Sequence, residues 1–309
     1  MNSRYVWMNG TLVESAKATV PFLTAGFHYG IAVFEGIRAY STDRGPAVFR
    51  LRDHLRRFEA SAKILGFREL PYSIDELTEA TSETIRASGY DECYIRPMVW
   101  LGEGGWNLTL DTGKPLVAIA VWEQSVYLGS SAPSRGVRAC VSSFMRSHPA
   151  ANMTKAKIAG NYVNSYLAKT DAHRQGFDEA ILLDAEGYVT ECTGANVFLV
   201  RDGQLITPPV DAILEGITRS TVFALAQDLG LEGVTARVSR DHLYVADELF
   251  VCGTAAEIVG IAEVDGRRVG IGRTGAITTR LQQAYADAVH GRHPRSAGWL
   301  EYVAKEVRA

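Results

Sequence analysis

At 309 residues the chain is too long for one small core, so two domains, or a large and a small lobe, are expected. Its 47% hydrophobic and 22% charged residues are those of an ordinary soluble globular protein. A net charge of -3 argues against a nucleic-acid or anionic-membrane partner, and no apolar run is long enough to span a bilayer.

The N-terminus, Met1-Asn2-Ser3-Arg4-Tyr5, lacks the pattern of a signal peptide. Cys93, Cys140, Cys192 and Cys252 form no C-x-x-C pair, and a disulfide framework is not expected in a chain this long. A reduced, cytoplasmic protein is the expectation.

In chain order, Val6-Trp7-Met8 and Thr11-Leu12-Val13 flank Asn9-Gly10, a hairpin signal. Val33 to Tyr40 reads as one strand, and Ala47 to Arg50 as another beyond Gly45-Pro46. Leu51, Leu55, Phe58, Ala62 and Leu65 recur at helical spacing, and Gly66 supplies a stop. Asp75 to Ser88 reads as a second helix, followed by strands over Glu92 to Leu101 and Pro115 to Trp122. Residues 1–126 therefore form a small N-terminal α+β domain.

The Ser-, Gly- and Pro-rich stretch 127–136 is the expected linker, and 137–309 the larger C-terminal domain. There, Arg138 to Met145 is strand-like. Asn161 to Arg174 is helical, with Val163, Tyr166 and Leu167 as part of its apolar face. Ala180 to Leu183, Tyr188 to Glu191, Asn196 to Arg201 and Gln204 to Ile206 read as a meander turned at Gly187 and Asp202-Gly203. A helix over Ile217 to Leu229 follows. Strands over Leu249 to Cys252, Ile258 to Val264 and Arg267 to Val269 come next, then a last helix over Ala276 to Val289.

Two lysines carry candidate chemistry. Lys155 and Lys157 both precede Ala159-Gly160-Asn161-Tyr162 and a helical run. Apolar surroundings and the positive end of a helix disfavour the ammonium form, which makes a nucleophilic amine; local physics does not choose between the two. Glu191 lies among small residues just before a Gly194-Ala195-Asn196 turn whose backbone N–H groups can approach an anion. A nucleophilic amine and a carboxylate for a basic ring nitrogen are what pyridoxal 5'-phosphate (PLP) chemistry needs.

Other groups allow two uses each. Gly216-Ile217-Thr218-Arg219 opens a helix, as a phosphate site or as simple capping. Arg57 adds charge to a phosphate site or pairs with Glu59 or another acid; Arg56 and Arg57 face different ways. Tyr94 and Arg96 share a strand face, to grip a carboxylate or to make a cross-strand pair. Gly253-Thr254-Ala255-Ala256 presents backbone donors or merely turns. The histidines, including His28 and His54, show no metal-ligand spacing, and no metal is expected. Trp7, Trp100, Trp106 and Trp122 read as core or pocket wall.

His28-Tyr29-Gly30 with Val33-Phe34-Glu35-Gly36-Ile37-Arg38 resembles the N-terminal signature of the branched-chain amino-acid aminotransferases, class IV enzymes of the fold-type IV PLP group. The resemblance continues through Val48-Phe49-Arg50, Ser61-Ala62-Lys63, Tyr94-Ile95-Arg96-Pro97, Tyr127-Leu128-Gly129, Lys157 to Tyr162, Glu191, Gly216 to Arg219 and Gly253 to Glu257. It covers nearly the whole chain in order.

The resemblance implies a two-domain fold like that of D-amino-acid aminotransferase, with a β-rich C-terminal lobe. It implies ping-pong transfer between leucine, isoleucine or valine and 2-oxoglutarate. It selects Lys157 for the internal aldimine and the proton shuttle, and leaves Lys155 as a flanking charge. Tyr162 would bond the phenolic oxygen and Glu191 the pyridine nitrogen. Arg57, Gly194, Ile217, Thr218 and Thr254 would hold the phosphate. Tyr94, with the backbone donors of Thr254 and Ala255, would hold the substrate carboxylate, with Arg96 nearby. Tyr29, Phe34, Tyr127, Tyr162 and Trp122 would wall the side-chain pocket, and Gly36 belongs to the same set. The family's site lies between its domains and near a dimer interface, so a homodimer or larger assembly is implied.

Leu101-Gly102-Glu103-Gly104-Gly105-Trp106-Asn107 departs from the family pattern, with a bulky Trp106. An amine transaminase, a D-amino-acid aminotransferase and an aminodeoxychorismate lyase share the fold and stay as alternatives. A non-catalytic PLP-binding protein is the reading from another class.

Overall fold

A computed structural model describes residues 3–104, 106–111, 113–124, 128 and 131–303. The chain divides into two compact units: Met1–Ser125 with Ala156–Gly160 and Ala288–Ala309, and Val126–Lys155 with Asn161–Asp287.

The first unit holds a mixed-length antiparallel sheet in the order Leu300–Tyr302, Ala47–Phe49, Ile37–Tyr40, Cys93–Leu101, Pro115–Trp122, Tyr5–Met8 and Thr11–Glu14. Ala32–Phe34 also pairs with Cys93–Leu101. Asn9 (φ 49°) and Gly10 (φ 91°) are both left-handed, which turns the first hairpin with the twist its strands need. Leu51, Leu55, Phe58 and Ala62 of the Leu51–Leu65 helix are buried in the core with Ile95, Val99 and Ile119. Burying each such leucine or phenylalanine stabilises by about 1.5–3 kcal/mol. Gly66 ends that helix at φ 111°, and a Ser73–Glu76 capping box starts Ile74–Ser88.

The expected single strand from Val33 to Tyr40 is two strands, Ala32–Phe34 and Ile37–Tyr40. The break falls at Glu35-Gly36, where the Glu35 carboxylate turns into the interior to meet His54 and Arg57. Residues 156–160 and 288–309, assigned from sequence to the C-terminal domain, belong to the first unit. The Phe34 N–H donates to Lys157 O at 3.1 Å, Val33 bridges Ile158, and Leu300–Tyr302 pairs with Ala47–Phe49. Such short pairings leave no periodicity to read.

The second unit holds a nine-stranded sheet among the described residues. Its order is Val189–Cys192, Glu179–Leu183, Val137–Val141, Glu257–Val264, Glu248–Gly253, Asn196–Arg201, Gln204–Thr207 and Gly233–Thr235, with Arg267–Arg268 beside Glu257–Val264. The strand expected to run to Met145 stops at Val141, after which the chain leaves the sheet in a turn closed by Phe144 N–H to Ser142 Oγ. Within the expected linker, Ala132–Arg135 is a helical turn ended by Gly136. The Tyr162–Arg174 helix buries Ser165, Ala168 and Ala172. Val163 and Tyr166 are 62% and 76% exposed, so the apolar face expected there is not a core face of this chain.

Candidate functional site

In the first unit, Lys157 sits on the short segment laid against Phe34. Its backbone N–H donates to Ser61 Oγ at 3.1 Å, and its Nζ lies 5.1 Å from the centre of the Phe34 ring. Lys155 belongs to the other unit and reaches the surface, where it pairs with Glu215 at 3.1 Å.

Around Phe34 the strand Cys93–Leu101 supplies Tyr94 and Arg96. The Arg96 guanidinium stands 4.5 Å from the Phe34 ring centre, 5.4 Å from that of Tyr94 and 5.7 Å from that of Trp122. Trp122 is the register partner of Tyr94 on Pro115–Trp122. Among the described residues, the buried Arg96 Nε has no hydrogen-bond partner. Gly36 is required here: a Cβ on it would come 1.9 Å from Tyr94 Oη. Tyr29, at the end of the Ala25–Tyr29 helical turn, packs edge-on against Trp106 at 5.9 Å, so the departing 101–107 loop touches an expected pocket residue. Tyr127 lies outside the described residues.

Arg57 points inward and Arg56 outward, where it pairs with Asp53. Arg57 forks Glu35, Nε to Oε1 at 2.7 Å and Nη2 to Oε2 at 2.8 Å, while His54 Nδ1 lies 2.8 Å from Oε2. Burial raises the Glu35 carboxyl, but Arg57 and His54 together outweigh it and hold it well below the usual carboxylate range. Burial also pushes His54 down, against the pull of Glu35. Of the acids allowed to Arg57, Glu59 or another, the structure uses another, Glu35. Glu35 was read only as part of a motif, and nothing in its spacing signals a buried carboxylate.

In the second unit, Glu191 and Asn196 are register partners on either side of the Thr193–Ala195 turn. Glu191 is 7% exposed. Asn196 Nδ2 donates to Glu191 Oε2 at 3.2 Å and the Leu214 N–H to the same oxygen at 3.3 Å. Arg146 Nε lies 2.8 Å from Oε1. That N–H makes no aligned hydrogen bond, so the contact is ionic. Arg146 was missed from sequence.

Two glycine contacts draw the remaining loops of this unit together. A Cβ on Gly216 would fall 2.0 Å from Asn196 Oδ1, and one on Gly253 3.2 Å from Gly194 O. Gly216 opens Ile217–Asp228 with no side-chain cap, and Ile217 and Thr218 are buried. Thr254 and Ala255 follow Gly253 in a half-buried turn. Glu191, Gly194, Ile217, Thr218, Thr254 and Ala255 are thereby gathered. Tyr162, half-buried, begins the Tyr162–Arg174 helix.

The described cysteines are buried and free, and burial pushes the Cys93 thiol up to about 12 and the Cys192 thiol well above its ordinary range. Among the described residues no cluster of His, Cys, Asp or Glu is placed to hold a metal, and no helix is long and apolar enough to cross a membrane.

The amino-transferase class IV family matches residues 32–264. The chain belongs to that family. It is 46% identical to the branched-chain-amino-acid aminotransferase of Pseudomonas aeruginosa over 96% of this chain and 97% of the other. Among solved structures, the Escherichia coli branched-chain amino acid aminotransferase superposes with a TM-score of 0.95 at 42% identity, covering 98% and 100% of the two chains. The Thermobaculum terrenum branched-chain amino acid aminotransferase in its PLP-form gives 0.92 at 36%, covering 98% and 99%. This class IV chain thus shares its α+β architecture with branched-chain aminotransferases along nearly its full length.

Proposed function

We propose that the chain is a PLP-dependent branched-chain-amino-acid aminotransferase, exchanging the amino group between leucine, isoleucine or valine and 2-oxoglutarate. The near full-length likeness to branched-chain aminotransferases carries this reading. The residues present fit the cofactor: the Ile217–Asp228 helix starts without a side-chain cap, which leaves its first N–H groups to an anion such as a phosphate.

PLP supplies an electron sink for the pair left on the substrate α-carbon. The Lys157 amine would hold the cofactor and would move the proton at the substrate α-carbon. Glu191 would keep a proton on the ring nitrogen, and Tyr162 would hydrogen-bond the phenolic oxygen. Arg57, Gly194, Ile217, Thr218 and Thr254 would hold the phosphate. Tyr94, Arg96 and the backbone donors of Thr254 and Ala255 orient the carboxylate, while Tyr29, Phe34, Gly36, Trp122 and Tyr127 shape the space for an apolar side chain. The proposed exchange is ping-pong, with 2-oxoglutarate as the final amino acceptor. The chain works as a homodimer or larger assembly in the cytoplasm.

The test is a donor panel with 2-oxoglutarate as acceptor. Glutamate forms from L-leucine, L-isoleucine and L-valine. Preference for D-alanine or a chiral aryl amine, or pyruvate released from 4-amino-4-deoxychorismate, would replace the branched-chain reading. A cofactor bound through lysine with no turnover of any donor would make the chain a binding protein.

A further inference from the structure

We propose that Arg146 is a positioning residue that aims and charge-balances Glu191 toward the cofactor ring nitrogen. The inference rests on the PLP reading above and adds a residue to it.

Both side chains are withdrawn from water, at 8% and 9% exposure, with Arg146 Nε 2.8 Å from Glu191 Oε1. A carboxylate buried this far is strongly disfavoured without a compensating charge. Asn196 Nδ2 and the Leu214 N–H reach Oε2 at 3.2 and 3.3 Å, but both are neutral and longer. Arg146 is the cation of this set and makes its shortest contact.

The arginine is itself fixed. Its backbone N–H donates to Leu183 O at 2.8 Å, at the end of the Glu179–Leu183 strand. Asn164 Nδ2 pins the preceding Met145 carbonyl at 3.0 Å. The cation therefore has a set origin on the sheet. With Arg146 on one oxygen and two N–H donors on the other, the Glu191 carboxylate is restrained from both sides. A carboxylate with a settled orientation meets a ring N–H without first reorganising, which is how a fixed dipole gains strength in a dry site. Removing the cation leaves Glu191 either protonated or displaced, and either state weakens its hold on the ring nitrogen.

The effect must act through that nitrogen, which makes it separable from a structural role. The full chain, stripped of cofactor, is titrated with PLP and with 1-deaza-PLP, in which CH replaces the ring nitrogen. R146Q is expected to weaken PLP binding by about tenfold or more while changing 1-deaza-PLP binding by less than about twofold. Equal loss of both ligands, or no loss of either, overturns the proposal. Should R146Q fail to fold, R146K carries the test: it keeps the charge, so its preference for PLP over the deaza analogue stays within about threefold of wild type, and a fall of about tenfold overturns the proposal. A wild-type chain that binds no PLP overturns the cofactor reading as well. Wild-type binding with equal losses in R146Q overturns only the role of Arg146.

Discussion

Arg57 and Glu35 meet as a two-pronged ion pair, 2.7 and 2.8 Å long, with the carboxylate fully buried and the guanidinium largely so. The pair joins the Leu51–Leu65 helix to the break between Ala32–Phe34 and Ile37–Tyr40. The same helix offers Ser61, one turn on from Arg57, to the Lys157 backbone. One buried carboxylate thus orders the surroundings of both the expected phosphate arginine and the nucleophilic lysine. Glu35→Gln leaves Arg57 without its counter-charge and is expected to destabilise by about 3–5 kcal/mol, read as a lower urea midpoint. An unchanged midpoint would show the pair to be dispensable.

Acid should destabilise the chain over two pH ranges. Burial, then Arg57 and Lys157, lower His54 against Glu35, and Glu35 itself is held low once Arg57 and His54 outweigh burial. Both groups bind fewer protons folded than unfolded, so stability rises with pH. The His54 contribution is full above its ordinary 6.5 and is lost as pH falls below that value; the Glu35 contribution is full above 4.5 and is lost below it. Thermal midpoints of His54→Asn against pH should lose the slope between the two values and keep the lower limb.

Lys157→Ala should abolish covalent cofactor attachment, so that borohydride fixes no label at this site. Lys155→Ala should keep the visible absorbance. Its pairing with Glu215 is half-exposed on both sides, and such surface pairs contribute about 0–1 kcal/mol. Colour retained in the first variant and lost in the second would reverse the assignment.

Much of this frame is legible in the sequence because it is local. Asn9-Gly10 can turn only one kind of hairpin, and the apolar spacing from Leu51 to Leu65 with Gly66 after it marks a helix and its end. What is not legible joins distant residues. Arg146 and Glu191 lie far apart in the chain, and no period links them. Glu35 sits in an apolar run that reads as uninterrupted strand until His54 and Arg57 are seen to claim it. For Val163, Tyr166 and Leu167 the spacing marks an apolar face, and spacing alone says nothing about what covers it.

Gly216→Ala should strike the second unit at one point. The added Cβ meets Asn196 Oδ1 at 2.0 Å, and Asn196 must move off Glu191. Overpacking of this kind costs about 1–3 kcal/mol. PLP affinity should fall with stability, measured by titration and thermal melting, and a variant with native affinity would show that the loop yields without disturbing Glu191.

Arg96→Lys keeps the charge but loses the flat guanidinium that stands over Phe34, Tyr94 and Trp122. The KM for leucine and for 2-oxoglutarate should rise about tenfold while the loaded protein keeps its colour. Unchanged KM values would remove Arg96 from carboxylate recognition.

The strand Leu300–Tyr302 closes one edge of the first sheet by pairing with Ala47–Phe49. During synthesis that edge stays open until residue 302 has left the ribosome, long after its neighbours have emerged. Until then the nascent N-terminal half carries an open edge on Ala47–Phe49, whose other side pairs with Ile37–Tyr40, and open edges invite pairing with other chains. Chains halted shortly before residue 300 should therefore be the species that chaperones hold and that aggregate when released.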